Sequence, residues 1–240
     1  MINDSKERLG KFISKLFGLD LDPIELEEIW IMAQERKLTA IGENPSIVAS
    51  PNMIEAFVKS ALKRTGLTIE DKRFKKIREE IIPAIDFVLF LKLIGNGEHF
   101  ILSSDAPDII LVKLDQHQRD NPKEVRKIPA TPLEITFIKE HSLKGITGLN
   151  DTERVAKAIA SQKFNKSYDP HTSLLVVLDV NLGKIVLNNL SSLLSVQKHN
   201  FHSIWIYMML VENKSVIAQL FPTFRSREFD IETDLRPLSY

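Results

Sequence analysis

Pro132-Leu-Glu-Ile-Thr-Phe-Ile138 is the stretch that decides the fold. A short run rich in branched and aromatic side chains reads as a β-strand. Strand alternation puts Glu134 and Thr136 on one face and Leu133, Ile135 and Phe137 on the other. A carboxylate in the middle of an otherwise apolar strand must find a partner, because burying it unpaired is costly. Asp108-Ile-Ile-Leu-Val-Lys-Leu114 reads as the preceding strand, opened by Asp108 after Pro107, with Asp105 three residues earlier. Between the two, residues 115–129 are polar, as in an open hairpin loop. A hairpin of this kind brings Asp108 and Glu134 together at one end of the sheet. Two carboxylates and a main-chain carbonyl are the hard oxygen ligands that magnesium or manganese prefers. The competing reading is a pair of ordinary strand-end acids facing solvent.

Outward from these strands, hydrophobic period is the guide. Towards the C-terminus, Asp151 is expected to cap a helix running through Tyr168. Ser173–Asp179 is a strand apolar enough to be buried on both faces. A helix is expected around Leu187–Ser195, then strands over Ser203–Leu210 and Ser215–Phe221, with a mostly polar tail after Pro222. Towards the N-terminus, His99–Ser103 is a further strand, and the chain before Glu98 is helical. One helix opens near Thr68 and carries Lys72, Arg73, Lys75, Lys76 and Arg78, a basic run read as a solvated face. Pro83 is expected to break or kink it, and Gly95-Asn-Gly97 to stop it. Asn52 is read as the N-cap of a helix through Leu62 that stops at Gly66, and Gly42–Pro51 as a connection. Leu9, Phe12, Ile13, Leu16 and Phe17 mark an amphipathic helix; Pro23, Ile24, Leu26, Ile29, Trp30 and Ala33 mark a second. Helix, three meandering strands, helix, strand is an α/β order with a mixed central sheet flanked by helices. The expected divisions are an N-terminal helical region over 1–66, a core over 67–222 and a tail over 223–240.

The 240 residues carry 32 basic and 32 acidic side chains, a formal net charge of zero. That excludes a histone-like coat of positive charge but leaves room for a local basic groove. There is no cysteine, which removes disulfides, thiolate nucleophiles and cysteine-ligated zinc. The most apolar stretch, Ile81–Ile94, is interrupted by Pro83, Asp86 and Lys92 and is shorter than the roughly 20 residues a bilayer span needs. The first residues lack the apolar region of a secretory signal. The expectation is a soluble, cytoplasmic protein. His199 and His202 precede a strand with no third ligand nearby, so they are set aside as a zinc pair. Gly95-Asn-Gly97 lacks the remainder of a dinucleotide fingerprint.

Ala106-Pro107-Asp108, a hairpin loop, Leu133-Glu134-Ile135-Thr136 and a helix bearing Gln162 and Lys163 together resemble the PD-(D/E)xK nuclease superfamily, over roughly Ile77–Leu210. The resemblance implies a restriction-endonuclease-like fold and a magnesium- or manganese-dependent nuclease that hydrolyses phosphodiesters in DNA or RNA. It implies Asp108, Glu134 and the Ile135 carbonyl as metal ligands, joined by Glu80 of the first helix, with Glu79 behind it. The family's lysine, two residues after the glutamate, is Thr136 here, and threonine supplies no positive charge. Some members carry that lysine on the following helix. This implies Lys163, with Gln162 beside it, and Lys113 on the preceding strand as a weaker candidate. The implied catalytic set is Asp108, Glu134 and Lys163.

On this reading Lys163→Ala abolishes cleavage without a loss of folding stability. Glu134→Gln weakens magnesium binding while relieving repulsion between neighbouring carboxylates. The departure at Thr136 leaves open an alternative, a catalytically inactive nuclease-fold protein that binds nucleic acid or protein. A third reading makes the acids merely structural.

Overall fold

The computed structural model describes residues 6–7, 9–11, 13–14, 22–24, 26–27, 30–31, 39–41, 46–103, 108–115, 117–118, 130–179, 182–210 and 214–235. Two compact units divide the chain, Met1–Thr131 and Pro132–Tyr240.

In the first unit, β1 (Thr39–Ile41), β2 (Ser46–Ala49), β3 (His99–Ser103) and β4 (Ile109–Lys113) pair in sequence, antiparallel throughout. β1 and β2 fall partly in the stretch read as a connection. At three and four residues they are too short to show a period. Helix α1 (Pro51–Thr65) follows β2 at once, with Pro51 in its first turn, where a missing N–H costs nothing. It ends at Gly66, whose φ of +63° suits a residue without Cβ. Helix α2 (Ile82–Leu93) is apolar on nearly every side and is buried, and Gly95 and Gly97 stop it as expected. Pro83 does not break it. The irregularity lies one turn earlier, as a π turn over Ile77–Ile81, so Pro83 falls in the first turn of the α segment. Of the two N-terminal helices, Leu9, Ile13, Pro23, Ile24, Leu26 and Trp30 are helical, with Leu9 and Ile13 buried. Phe12, Leu16, Phe17, Ile29 and Ala33 lie outside the described residues.

In the second unit, β5 (Ala130–Ile138, entering at Pro132), β6 (Ser173–Leu178) and β7 (Ser203–Met209) run parallel. β8 (Lys214–Phe221) and β9 (Arg225–Asp230) continue antiparallel. Helix α3 (Asp151–Ile159), extended by a π turn over Ala160–Phe164, links β5 to β6, and α4 (Leu187–Ser195) links β6 to β7. The fold class is therefore α/β with a mixed sheet. One core layer joins Ile138, Leu174, Val176, Ile204, Ile206, Ala218 and Leu220 of the strands to Val155 and Ile159 of α3 and Leu190 and Leu194 of α4. Every residue of β6 is buried, as its unbroken apolar run predicts.

Asn150, not Asp151, caps α3: its side chain accepts from the Glu153 N–H while Glu153 accepts from the Asn150 N–H. Asp151 instead accepts from the Lys184 N–H at 3.2 Å. At Gly183, with φ +79°, a Cβ would collide with the Asp151 carboxylate, so only glycine fits the loop that closes against α3. The tail, read only as mostly polar, contributes β9. Its Arg-Ser-Arg-Glu-Phe-Asp sequence buries only Phe229, and charge along an outer strand discourages further pairing. Among the described residues no helix is long and apolar enough to cross a membrane.

Candidate functional site

β5 puts Glu134, Thr136 and Ile138 on the face that α3 covers, with Leu174 and Val176 of β6 as lateral neighbours. Those neighbours are fully buried hydrocarbons, so Glu134 has no solvating company along the sheet. Its partner comes from the helix. Lys163 Nζ lies 2.5 Å from Glu134 Oε1, and the two side chains are only 11% and 13% exposed. Tyr168 donates its hydroxyl to the same oxygen at 3.2 Å. Beside this pair, the Thr136 hydroxyl donates to Gln162 Oε1 at 3.0 Å. Among the described residues, nothing donates to Glu134 Oε2.

The π turn explains how these contacts arise together. An α-helix presents one side chain, at most two, per turn to a sheet below it. The wider turn over Ala160–Phe164 aims three successive side chains inward: Gln162 at Thr136, Lys163 at Glu134 and Phe164 into the apolar layer. Such turns recur at functional sites. Desolvating a carboxylate and an ammonium costs several kcal/mol per ion, offset only by good geometry and added hydrogen bonds. A pair this sheltered is therefore weak as a stabilising device.

An aromatic cluster backs the site. The Tyr168 ring lies 4.7 Å from Phe201, and His199 packs 4.9 Å from Phe164 and edge-on to Phe221 at 4.7 Å. Burial lowers the His199 pKa below its ordinary value, and its buried Nδ1 has no hydrogen-bond partner among the described residues. His202 is exposed, and no group of three metal-ligating side chains occurs among the described residues. Trp205 donates to the Ser203 hydroxyl, itself 2.8 Å from that of Ser173.

The structure thus brings together Glu134, Thr136, Gln162 and Lys163. Ile135 lies on the opposite face of β5, its backbone in register with Leu175. Asp108, Glu80 and Lys113 belong to the first unit: Asp108 is half-buried just before β4, Glu80 is half-buried on the π turn 77–81, and Lys113 is exposed at the end of β4. Asp105 and Pro107 lie outside the described residues. No family model, curated protein or solved structure matches the chain. The residue that sequence reasoning missed is Tyr168, read only as the end of a helix. Its signal was modest: it is the one aromatic side chain in the polar connection Asn165–Pro170.

Proposed function

We propose that the chain is a metal-dependent phosphodiesterase of restriction-endonuclease-like fold acting on DNA or RNA. The observation that carries this is the buried Lys163 ammonium held against the Glu134 carboxylate beside an uncharged Thr136. Lys163 comes from the helix, one of the places where the resemblance allows the missing strand lysine to reappear. By the resemblance, Glu134 Oε2 and the Ile135 carbonyl would be the second unit's ligands for magnesium or manganese. A metal bound there supplies Lewis acidity and lowers the pKa of a bound water. Lys163 adds positive charge where the phosphate gains negative charge in the transition state. Gln162 and Thr136 fix the π turn that carries it, and Lys113 remains the alternative cation.

The test is cleavage of single- and double-stranded DNA and RNA with magnesium and with manganese. Activity is expected in the wild type and lost in Asp108→Asn, Glu134→Gln and Lys163→Ala. Lys157→Ala and Lys166→Ala retain it. Thr136→Lys in the Lys163→Ala background returns part of it, because the lysine then stands at the strand position. Activity that survives Lys163→Ala removes the role of that residue. The engaged, uncharged Thr136 also favours a second reading, a non-catalytic nucleic-acid- or protein-binding module, and that reading takes over if the wild type binds nucleic acid without cleaving it.

A further inference from the structure

We infer that Asn96 is a site of spontaneous deamidation in the folded chain, and that its conversion weakens the stop of α2. Asn96-Gly97 is the one Asn-Gly pair in the 240 residues. The turn that holds it is a Schellman stop: the Gly95 N–H donates to the Lys92 carbonyl at 3.0 Å and the Asn96 N–H to the Leu91 carbonyl at 2.9 Å. Those bonds hold the backbone as far as residue 96 and do not reach the next peptide. The Gly97 N–H donates to nothing among the described residues, and the exposed Asn96 side-chain amide has no hydrogen-bond partner among them. Nucleophile and electrophile are both uncommitted. Elsewhere an asparagine side chain is occupied: Asn150 accepts from the Glu153 N–H at 3.0 Å as the cap of α3.

The reaction needs only water. A base from solvent takes the Gly97 amide proton as that nitrogen bonds to Asn96 Cγ. The Cγ–Nδ2 bond then breaks, and Nδ2 takes up a proton and leaves as ammonia. The five-membered imide that remains adds water at either carbonyl and opens to aspartate or isoaspartate. The fold keeps the pair in place, because residue 97 must be glycine. Its φ is +85°, and a Cβ there would lie 2.9 Å from Lys113 Cε. The products disturb α2 in two ways. A carboxylate at position 96 stands at the negative end of the helix dipole, and Lys92 of the last turn is already engaged, 2.6 Å from Glu98. Isoaspartate also inserts a methylene into the main chain between the stop and β3, beside the Gly97 carbonyl that lies 3.2 Å from His99 Nδ1.

The experiment incubates the full chain in warm, mildly alkaline buffer, once folded and once unfolded in guanidinium chloride. Peptide mass spectrometry follows every asparagine, and enzymatic methylation scores isoaspartate. Position 96 is expected to lose its amide before any other asparagine, as fast in the folded chain as in the unfolded one, and to yield both aspartate and isoaspartate. Asn96→Gln is expected to keep its amide over the same period. Urea denaturation supplies the second readout. Incubated wild type is expected to unfold at a lower urea concentration than Asn96→Gln incubated beside it, with Asn96→Asp, which adds the charge without the methylene, between the two. Conversion at position 96 in the unfolded chain but not in the folded one overturns the site, because the fold then shields it. Equal urea midpoints for incubated wild type and Asn96→Gln overturn the effect on α2 and leave the modification site standing.

Discussion

Two of the π turns, Ile77–Ile81 and Ala160–Phe164, use their charged side chains differently. In Ile77–Ile81 the charges stay near water: Glu79 lies 4.0 Å from Lys75 and 3.7 Å from Arg78, which also reaches Glu70 at 3.3 Å. In Ala160–Phe164 the single cation is pressed onto a strand inside an apolar layer. The backbone device is the same, but the surroundings are not. The first turn runs on into α2, and its charges meet partners from their own helix or the turn before it. The second ends its helix over β5, where only Glu134 and Thr136 are polar on the facing side. A surface pair of the first kind contributes about 0–1 kcal/mol, whereas a desolvated pair exposes the protein to a real loss when one partner goes.

The largest expected effect is therefore on folding stability. Lys163→Met leaves Glu134 sheltered without its cation and should cost about 2–3 kcal/mol in urea denaturation, towards the lower end for breaking a buried pair. Glu134→Gln should also destabilise, since the geometry gives Glu134 a cation to lose. The expectations that Lys163→Ala spares stability and that Glu134→Gln relieves repulsion both change once the pair is seen. Replacing both partners with Glu134→Leu and Lys163→Met should recover most of the loss, because two apolar groups need no partner. Lys75→Ala, at the first π turn, should stay within about 0.5 kcal/mol. If Lys163→Met and Lys75→Ala cost the same, the two turns do not differ in the way described.

The polar pair next to the ions gives a smaller effect. Gln162→Leu strands the Thr136 hydroxyl, which is buried, and should cost about 1–2 kcal/mol. Thr136→Val together with Gln162→Leu removes both polar ends and should cost less than Gln162→Leu alone. A double variant worse than the single would mean that the threonine contributes through its shape or another contact rather than through this bond.

The contrast also shows where the sequence was readable. Alternation on β5 placed Glu134 and Thr136 on one face, and the unbroken apolar run of β6 marked a strand buried on both sides. Glycines at 66, 95 and 97 stopped the helices where they were expected to, because positive φ is a local property. Neither π turn was legible. A π turn arises where a helix meets its neighbours, and no residue type encodes it. β1 and β2 are too short for alternation to register, and β9 is too polar and exposed to resemble a strand. Lys163 and Gln162 were singled out by their place after the strand. Tyr168 was not, because its role depends on chain reversal into β6, which brings it back to Glu134.

The smallest expected effect concerns the far side of the second π turn, where Phe164 meets His199. Burial lowers the His199 pKa from its ordinary 6.5, so the folded state binds its proton less readily than the unfolded chain does. Stability from this residue is complete above about pH 6.5 and falls as acid protonates the unfolded state, levelling off below the folded pKa. His99 in the first unit shifts the same way, mainly by burial and secondarily by Lys113, but its Nδ1 lies 3.2 Å from the Gly97 carbonyl, which opposes the shift. His199 has no such acceptor at Nδ1 among the described residues. Urea midpoints compared at about pH 7.5 and about pH 5.5 should therefore drop in acid for the wild type, and the drop should shrink in His199→Phe. Phe164 and Phe221 present ring faces and edges to the same imidazole, and a cation over a ring face is attracted to it. A larger acid drop in His199→Phe than in the wild type would mean that this attraction outweighs desolvation, and the second π turn would then be tightened by acid rather than loosened.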